Sequence, residues 1–206
     1  ESIYANTKCD KISFGINQKS DILAQNIVLG QRGVEFDVIT LKGNEHIEIG
    51  IPGKFTVYNA LGSIGACIAL NISLESIKEG LKRAEGVPGR FQLVETGRDF
   101  SVIIDYAHTP DGLENVLNTV KGYIKGRFIT VFGCGGDRDS SKRPIMGEIA
   151  GRLSDYCIIT SDNPRTESPM EIINQIEVGM KKTSCKYKII ENRAEAIEYA
   201  LDIAAK

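Results

Sequence analysis

From Ile12 to Ile51 apolar and polar residues alternate in short runs, Ile22–Leu29, Val34–Leu41 and His46–Ile51. A period of two is that of half-buried strands, so this stretch predicts an antiparallel meander turning at Gly30–Gly33 and Lys42–Glu45. The period then lengthens. Small residues crowd about Thr56–Leu70, with Ala60, Gly62, Ser63, Gly65, Ala66 and Ala69, which predicts a buried helix that a neighbour can approach closely. Ser73 reads as the N-cap of a second helix ending near Glu85, and Gly86-Val87-Pro88-Gly89 breaks the chain, placing a domain boundary at 88/89.

Beyond Arg90 the rhythm changes to apolar runs alternating with helical patterns. The runs are Phe91–Glu95, Ser101–Asp105, Phe128–Phe132, Tyr156–Thr160 and Tyr187–Ile190; the helices read as Asp111–Ile124, Ser141–Leu153, Pro169–Lys181 and Arg193–Ala205. Short, nearly continuous apolar strands with helices between them predict an α/β domain, a doubly wound parallel sheet covered on both faces. Ligands of such sheets collect beyond the carboxyl ends of the strands. Three of those ends are dense in polar residues: Asp105–Pro110, Gly133–Asp139 and Ser161–Arg165. If their strands are neighbours, these loops line one rim.

Composition narrows the class. With 42% hydrophobic and 25% charged residues, the 206-residue chain is neither disordered, fibrous nor a disulfide scaffold. Its length corresponds to roughly 1.4 domains, an awkward number for one compact unit. The net charge of −2 provides no positive field for nucleic acid or an anionic membrane, so any contact with an anion must be local. No apolar run approaches the roughly 20 residues that span a bilayer. Five cysteines, odd in number and without a C-x-x-C pair, point to a reducing cytoplasm rather than to disulfides or zinc. Glu1-Ser2-Ile3-Tyr4 reads as a start inside a longer protein.

The run Gly133–Asp139 between a strand and a helix invites a phosphate-binding reading, but Arg138 stands where both the P-loop and the dinucleotide fingerprint require Gly. Glycines forming a tight turn are the plain alternative. Asp137, Arg138, Asp139, Lys142 and Arg143 favour a site, since a plain turn does not need five charges. Thr109, Pro110 and Asp111 are explained as a helix start, which leaves Asp105 and His108 unassigned. A carboxylate at Asp105 can accept ribose hydroxyls or hold a metal-bound water; His108 by itself reads as a hydrogen-bonding residue, with no nucleophile beside it. Asp162-Asn163-Pro164-Arg165 is a turn former. A guanidinium fixed there can also grip a carboxylate by two parallel bonds while Asp162 and Asn163 receive an ammonium, which suits an amino acid.

Together, Gly53-Lys54-Phe55-Thr56-Val57-Tyr58-Asn59-Ala60, Pro88-Gly89-Arg90-Phe91, Asp105-Tyr106-Ala107-His108-Thr109-Pro110-Asp111, Gly133–Arg138 with Lys142-Arg143-Pro144, and Asp162-Asn163-Pro164-Arg165 resemble the Mur ligases of peptidoglycan synthesis. The match is nearest to the MurE type, which adds 2,6-diaminopimelate to UDP-N-acetylmuramoyl-L-alanyl-D-glutamate. The resemblance implies that residues 1–88 are the second half of a central ATPase domain and 89–206 most of a C-terminal Rossmann-like domain. It places the P-loop and a carbamylated lysine upstream of Glu1 and a Gly-Lys-Gly-His-Glu segment beyond Lys206.

It further implies a cytoplasmic, monomeric enzyme using ATP and Mg2+, with meso-diaminopimelate and the UDP-N-acetylmuramoyl dipeptide as substrates, and neither nucleic acid nor membrane as partner. Asn59, Arg90, Asp105 and His108 are implied as nucleotide contacts, and Arg138, Asp162, Asn163, Pro164 and Arg165 as the diaminopimelate pocket. No catalytic residue or metal ligand is assigned within the chain, which is expected to be inactive alone. Thr56 departs from the family's frequent Asn. Relatives that add L-lysine have a different residue in place of Arg165; lysine would leave that guanidinium unpaired, at a cost of several kcal/mol. The alternatives are a non-catalytic ligand-binding module, a lysine-adding relative or a folylpolyglutamate-type relative.

Overall fold

The computed structural model describes residues 5–30 and 32–204. The chain divides into two compact units, Glu1–Pro88 and Gly89–Lys206, each with its own hydrophobic core.

In the first unit, strands β1 (Phe14–Gly15), β2 (Ile22–Leu29), β3 (Val34–Thr40) and β4 (Gly43–Ile49) form one sheet in that order. The meander β2-β3-β4 is antiparallel as its alternation predicts, and β1, too short to show a period, joins β2 in parallel. Strand β3 buries Val34, Phe36 and Val38 on one face, and β4 adds Ile47 and Ile49 to the same core. Strand β2 changes face midway. Its register shifts between Gln25 and Val28, with Asn26 at φ 53°, so Ile22 and Ala24 are buried while Val28 and Leu29 are exposed.

The Gly30 N–H closes the first turn on the Gly33 carbonyl at 2.9 Å; Gln31, within that predicted turn, lies outside the described residues. The second turn is not at Lys42–Glu45. Thr40 already faces Gly43 across a two-residue loop, and Gly43 adopts φ 128°, which lets the chain reverse and resume pairing at once. Helix α1 (Lys54–Ala69) buries Val57, Ala60, Leu61 and Ile64 but exposes Phe55, Tyr58 and Asn59, so within this unit it is buried on one face only. The Thr56 hydroxyl is turned inward, donating to the Pro52 carbonyl at 3.1 Å. Helix α2 (Leu74–Lys82) is capped by Ser73, whose hydroxyl accepts the Ser76 N–H.

The second unit begins with β5 (Gln92–Val94) and β6 (Val102–Ile104), which pair antiparallel rather than as parallel strands. A parallel crossover takes about a dozen residues or more, and the segment Glu95–Ser101 is too short for one. The remaining elements alternate: α3 (Pro110–Lys121), β7 (Ile129–Phe132), α4 (Lys142–Leu153), β8 (Tyr156–Ile159), α5 (Pro169–Met180), β9 (Lys186–Ile189) and α6 (Arg193–Ala204). The sheet β7-β8-β9 is entirely parallel.

Alternate residues of its central strand face different layers, giving the α/β layering the strand–helix rhythm predicts. Cys157 and Ile159 share a core with Met146, Ile149 and Ala150 of α4 and Ile172, Ile173 and Ile176 of α5. Tyr156 instead meets Tyr199 of α6, hydroxyl to hydroxyl at 3.5 Å, and the Lys188 ammonium lies 3.9 Å from the Tyr199 ring centre. Helices α4 and α5 touch almost backbone to backbone. A Cβ on Gly179 would stand 1.7 Å from the Pro144 carbonyl oxygen, and one on Gly147 would stand 2.1 Å from that of Ile176. Among the described residues, no helix is long and apolar enough to cross a membrane.

Candidate functional site

Because β7 and β8 are parallel neighbours, the loops that follow them, Gly133–Ser141 and Ser161–Ser168, leave the sheet side by side. Glycine permits the contact: a Cβ on Gly133 would stand 2.2 Å from the Thr160 carbonyl oxygen, and one on Gly136 1.9 Å from that of Pro164. The loops are then laced together. The Gly136 N–H donates to the Asn163 carbonyl at 2.9 Å, and Arg165 Nη1 returns a bond to the Gly136 carbonyl at 2.6 Å. The Thr166 hydroxyl and N–H both donate to the Asp137 carboxylate, at 2.7 and 3.3 Å. Asp137 and Arg165 sit at φ 51° and 52°, left-handed backbone that non-glycine residues adopt at a cost.

Beneath the loops lies Arg143, in the first turn of α4 and 1% exposed. Its Nη1 and Nη2 donate to the two Glu167 oxygens at 2.7 and 2.8 Å, Nη1 also to Gln175 Oε1 at 2.8 Å and Nη2 to the Gly135 carbonyl at 3.3 Å. Glu167 Oε1 also accepts the Asp137 N–H. These bonds, with the Arg143 charge, pull the Glu167 carboxyl down to about 2 and raise the Arg143 guanidinium. Asp139 is lowered by the Ser141 hydroxyl and N–H, which both donate to it. The nearby Cys134 is 3% exposed and packs in the core, and this burial pushes its thiol up to about 11.

The expected amino-acid contacts fall on this rim, though not around one cavity. Asp162 and Asn163 line an open cleft of about 990 Å³ with Lys188, Glu191, Asn192 and Arg193. Arg138 and Arg165 do not line it. Arg138 is exposed and uses one donor on the Asp137 carbonyl at 3.0 Å. Arg165 bonds the Gly136 and Asn163 carbonyls through Nη1; its Nε and Nη2 meet no acceptor among the described residues. Pro164 contributes its carbonyl, which accepts the Glu167 N–H and closes the turn.

The expected nucleotide contacts fall in two places. Asn59 is exposed on α1 of the first unit. Arg90, Asp105 and His108 gather around Tyr106 in the second: the Arg90 guanidinium lies 4.4 Å from the Tyr106 ring centre, and the His108 ring meets the same ring edge-on at 5.2 Å. Asp105 accepts the Phe91 N–H on one oxygen at 2.8 Å and the Ala107 N–H on the other at 2.7 Å, so it braces the loop, and lone pairs remain on both oxygens. Thr109 caps α3 by accepting the Gly112 N–H. The Lys142 ammonium donates to the His108 carbonyl at 2.7 Å, tying this loop to the start of α4.

Sequence reasoning counted Arg143 among five loop charges and gave Glu167 no part. The signal that was available is the Lys142-Arg143-Pro144 run at a helix start; a partner 24 positions away leaves no local pattern. Among the described residues no group of three or more His, Cys, Asp or Glu side chains is placed to hold a metal ion.

Residues 89–206 match the family description "Mur ligase, glutamate ligase domain", and residues 1–67 match "Mur ligase middle domain". The UDP-N-acetylmuramoyl-L-alanyl-D-glutamate–2,6-diaminopimelate ligase 1 of Clostridium acetobutylicum is 51% identical over 208 residues, covering 100% of this chain and 43% of that protein. The corresponding ligase of Caldanaerobacter subterraneus is 53% identical over 195 residues, covering 95% and 40%. The chain thus spans about two fifths of the length of the curated relatives it matches. A solved structure of a 2,6-diaminopimelate ligase of this kind superposes with a TM-score of 0.63 at 32% identity, over 91% of this chain and 39% of that one. A folylpolyglutamate synthase structure from Thermotoga maritima shares the fold, with a TM-score of 0.67 at 24% identity, over 86% of this chain and 41% of that one. With both of its units matched by the family's domain descriptions, the chain belongs to the Mur ligase family.

Proposed function

We propose that this chain is the part of a MurE-type ligase that binds the incoming amino acid and contributes to the ATP site, in an enzyme adding meso-diaminopimelate to UDP-N-acetylmuramoyl-L-alanyl-D-glutamate. Residues 1–88 are the second half of the central domain and 89–206 most of the C-terminal domain. The observation that carries this reading is the state of Arg165. Arg165 is exposed; its Nη1 is tied to backbone carbonyls, while Nε and Nη2, the side-on fork that pairs with a carboxylate, meet no acceptor among the described residues. Arg138 supplies further donors to a carboxylate, and Asp162 and Asn163 can receive an ammonium. Lysine lacks the second carboxylate that would fill the fork; meso-diaminopimelate has it.

ATP supplies the phosphoryl group that activates the acceptor's carboxylate. The residues here fit it in part: Arg90, whose guanidinium lies against the Tyr106 ring, has N–H donors to offer a phosphate, and Asp105 has lone pairs left for a ribose hydroxyl. Asn59 and His108 complete the proposed contacts. Mg2+ reaches a protein largely through phosphates and one or two carboxylates, and the described residues offer it no cage of their own, so no step is assigned to it here. The reading places the enzyme in the cytoplasm, as a monomer, without nucleic-acid or membrane partners.

Calorimetry of this chain against meso-diaminopimelate, L-lysine and ATP tests the reading. We expect meso-diaminopimelate to bind at least about tenfold more tightly than lysine, the worth of one charge-assisted bond, and Arg165→Met to remove the difference. Equal affinities in the wild-type chain would overturn it. Because the chain contains no G-x-x-x-x-G-K-[ST] segment, no ATP turnover is expected from it alone.

A further inference from the structure

We infer that Arg143 and Glu167 are positioning residues that hold the Gly135–Asp137 and Asn163–Thr166 segments in the shape that recognises the amino acid; this rests on the function proposed above. Three observations converge on it. A guanidinium only 1% exposed forks onto a single carboxylate, and its buried Nε meets no acceptor among the described residues. Such a pair is a poor device for stability, because an apolar replacement of similar volume commonly does as well or better. What it does supply is direction. Arg143 reaches one loop through the Gly135 carbonyl and the other through Glu167, and Glu167 returns to the first loop through the Asp137 N–H.

The two left-handed non-glycine residues of the rim are the ones this arrangement brackets. Asp137 donates its N–H to Glu167; Arg165 lies between Pro164, whose carbonyl accepts the Glu167 N–H, and Thr166, whose hydroxyl is held by Asp137. Conformations of that kind persist only where the surroundings over-determine them, and they concentrate where geometry matters to function. The open fork of Arg165 is aimed by this bracket, while the pair itself touches no ligand.

The test compares Glu167→Gln and Arg143→Lys with Gly151→Ala, a substitution that crowds Thr183 and Met180, residues outside the bracket. Amide hydrogen exchange, thermal melting and calorimetry with meso-diaminopimelate and L-lysine are measured on each. In Glu167→Gln the Asp137 amide should exchange about tenfold faster relative to Ile158 and Ile159 in β8, and the preference for meso-diaminopimelate should shrink by about fivefold or more. Arg143→Lys, a point charge without the fork, should give the same pattern. Gly151→Ala should lower the melting temperature and leave the preference intact. An unchanged preference in Glu167→Gln, or an equal change in Gly151→Ala, overturns the inference. A wild-type chain with no preference defeats the functional reading instead; the bracket is then judged on exchange alone, and unaltered protection at Asp137 defeats it.

Discussion

Glu167 receives two guanidinium bonds from Arg143 and the Asp137 N–H, and remains ionised to about pH 2, against 4.5 for an unperturbed glutamate. The folded value is the lower one, so the stabilisation it brings is complete above about pH 4.5 and disappears as the pH falls through about 2. Side-chain NMR titration should therefore place the Glu167 midpoint near 2, and the Asp137 amide should stay protected at pH 4 and lose protection only near that midpoint. A midpoint near 4.5 would mean that the pair does not form in solution. At this scale the sequence was legible where partners are close along the chain: Thr109 caps α3, Ser73 caps α2, and Arg165 follows the Asn-Pro turn that fixes it. It was silent on Glu167, a loop residue whose part depends on Arg143 of helix α4, 24 positions away.

Among the elements, α4 and α5 are the pair most sensitive to added volume. Gly179 and Gly147 let the helices meet where a methyl group would overlap carbonyl oxygens of Pro144 and Ile176, and main-chain atoms cannot rotate out of the way. Gly179→Ala should cost about 3 kcal/mol or more, at the upper end of what overpacking usually costs, although Ala is the better helix former. Urea unfolding of the purified variant checks this, and a neutral or stabilising result would show that the helices are further apart. Helix boundaries were legible to within a few residues where a cap or a breaker marks them, as Pro110 and Pro169 do at the starts of α3 and α5. The direction of β5 and β6 was missed although the cue was present: Glu95–Ser101 is long enough to turn and too short to cross over. A two-residue strand such as β1 carries no period at all.

At the scale of the molecule, the two cores share no residue, and Glu85–Pro88 is exposed from end to end. Limited proteolysis should cut first in that segment and leave two fragments that each retain secondary structure by circular dichroism. Early cleavage within β7–β9 would contradict the division. The arithmetic of roughly 1.4 domains is consistent with this: it counts a Gly89–Lys206 unit of ordinary layered construction plus a smaller one. Two of the three polar strand ends legible in the sequence line one rim because β7 and β8 are neighbours; the third, Asp105–Pro110, follows β6 of a separate two-stranded sheet and is joined to the start of α4 by the Lys142–His108 bond. The association of Tyr106 with Arg90 and His108 was not legible, since it depends on a cation–ring contact that leaves no spacing rule in the sequence.

The contact between the β7 and β8 loops through Gly133 and Gly136 also partitions the rim for anyone seeking to change what it accepts. Those two positions admit no side chain, and Arg143 and Glu167 hold the loops in shape, so randomising the glycines would fill a library with unfolded members and randomising the pair would loosen the frame. Arg138, Asp162 and Asn163 are exposed, and among the described residues none of their side chains bonds to the facing loop; of the three, only the Asn163 carbonyl takes part in the lacing. Diversity introduced there would sample new recognition on an unchanged frame.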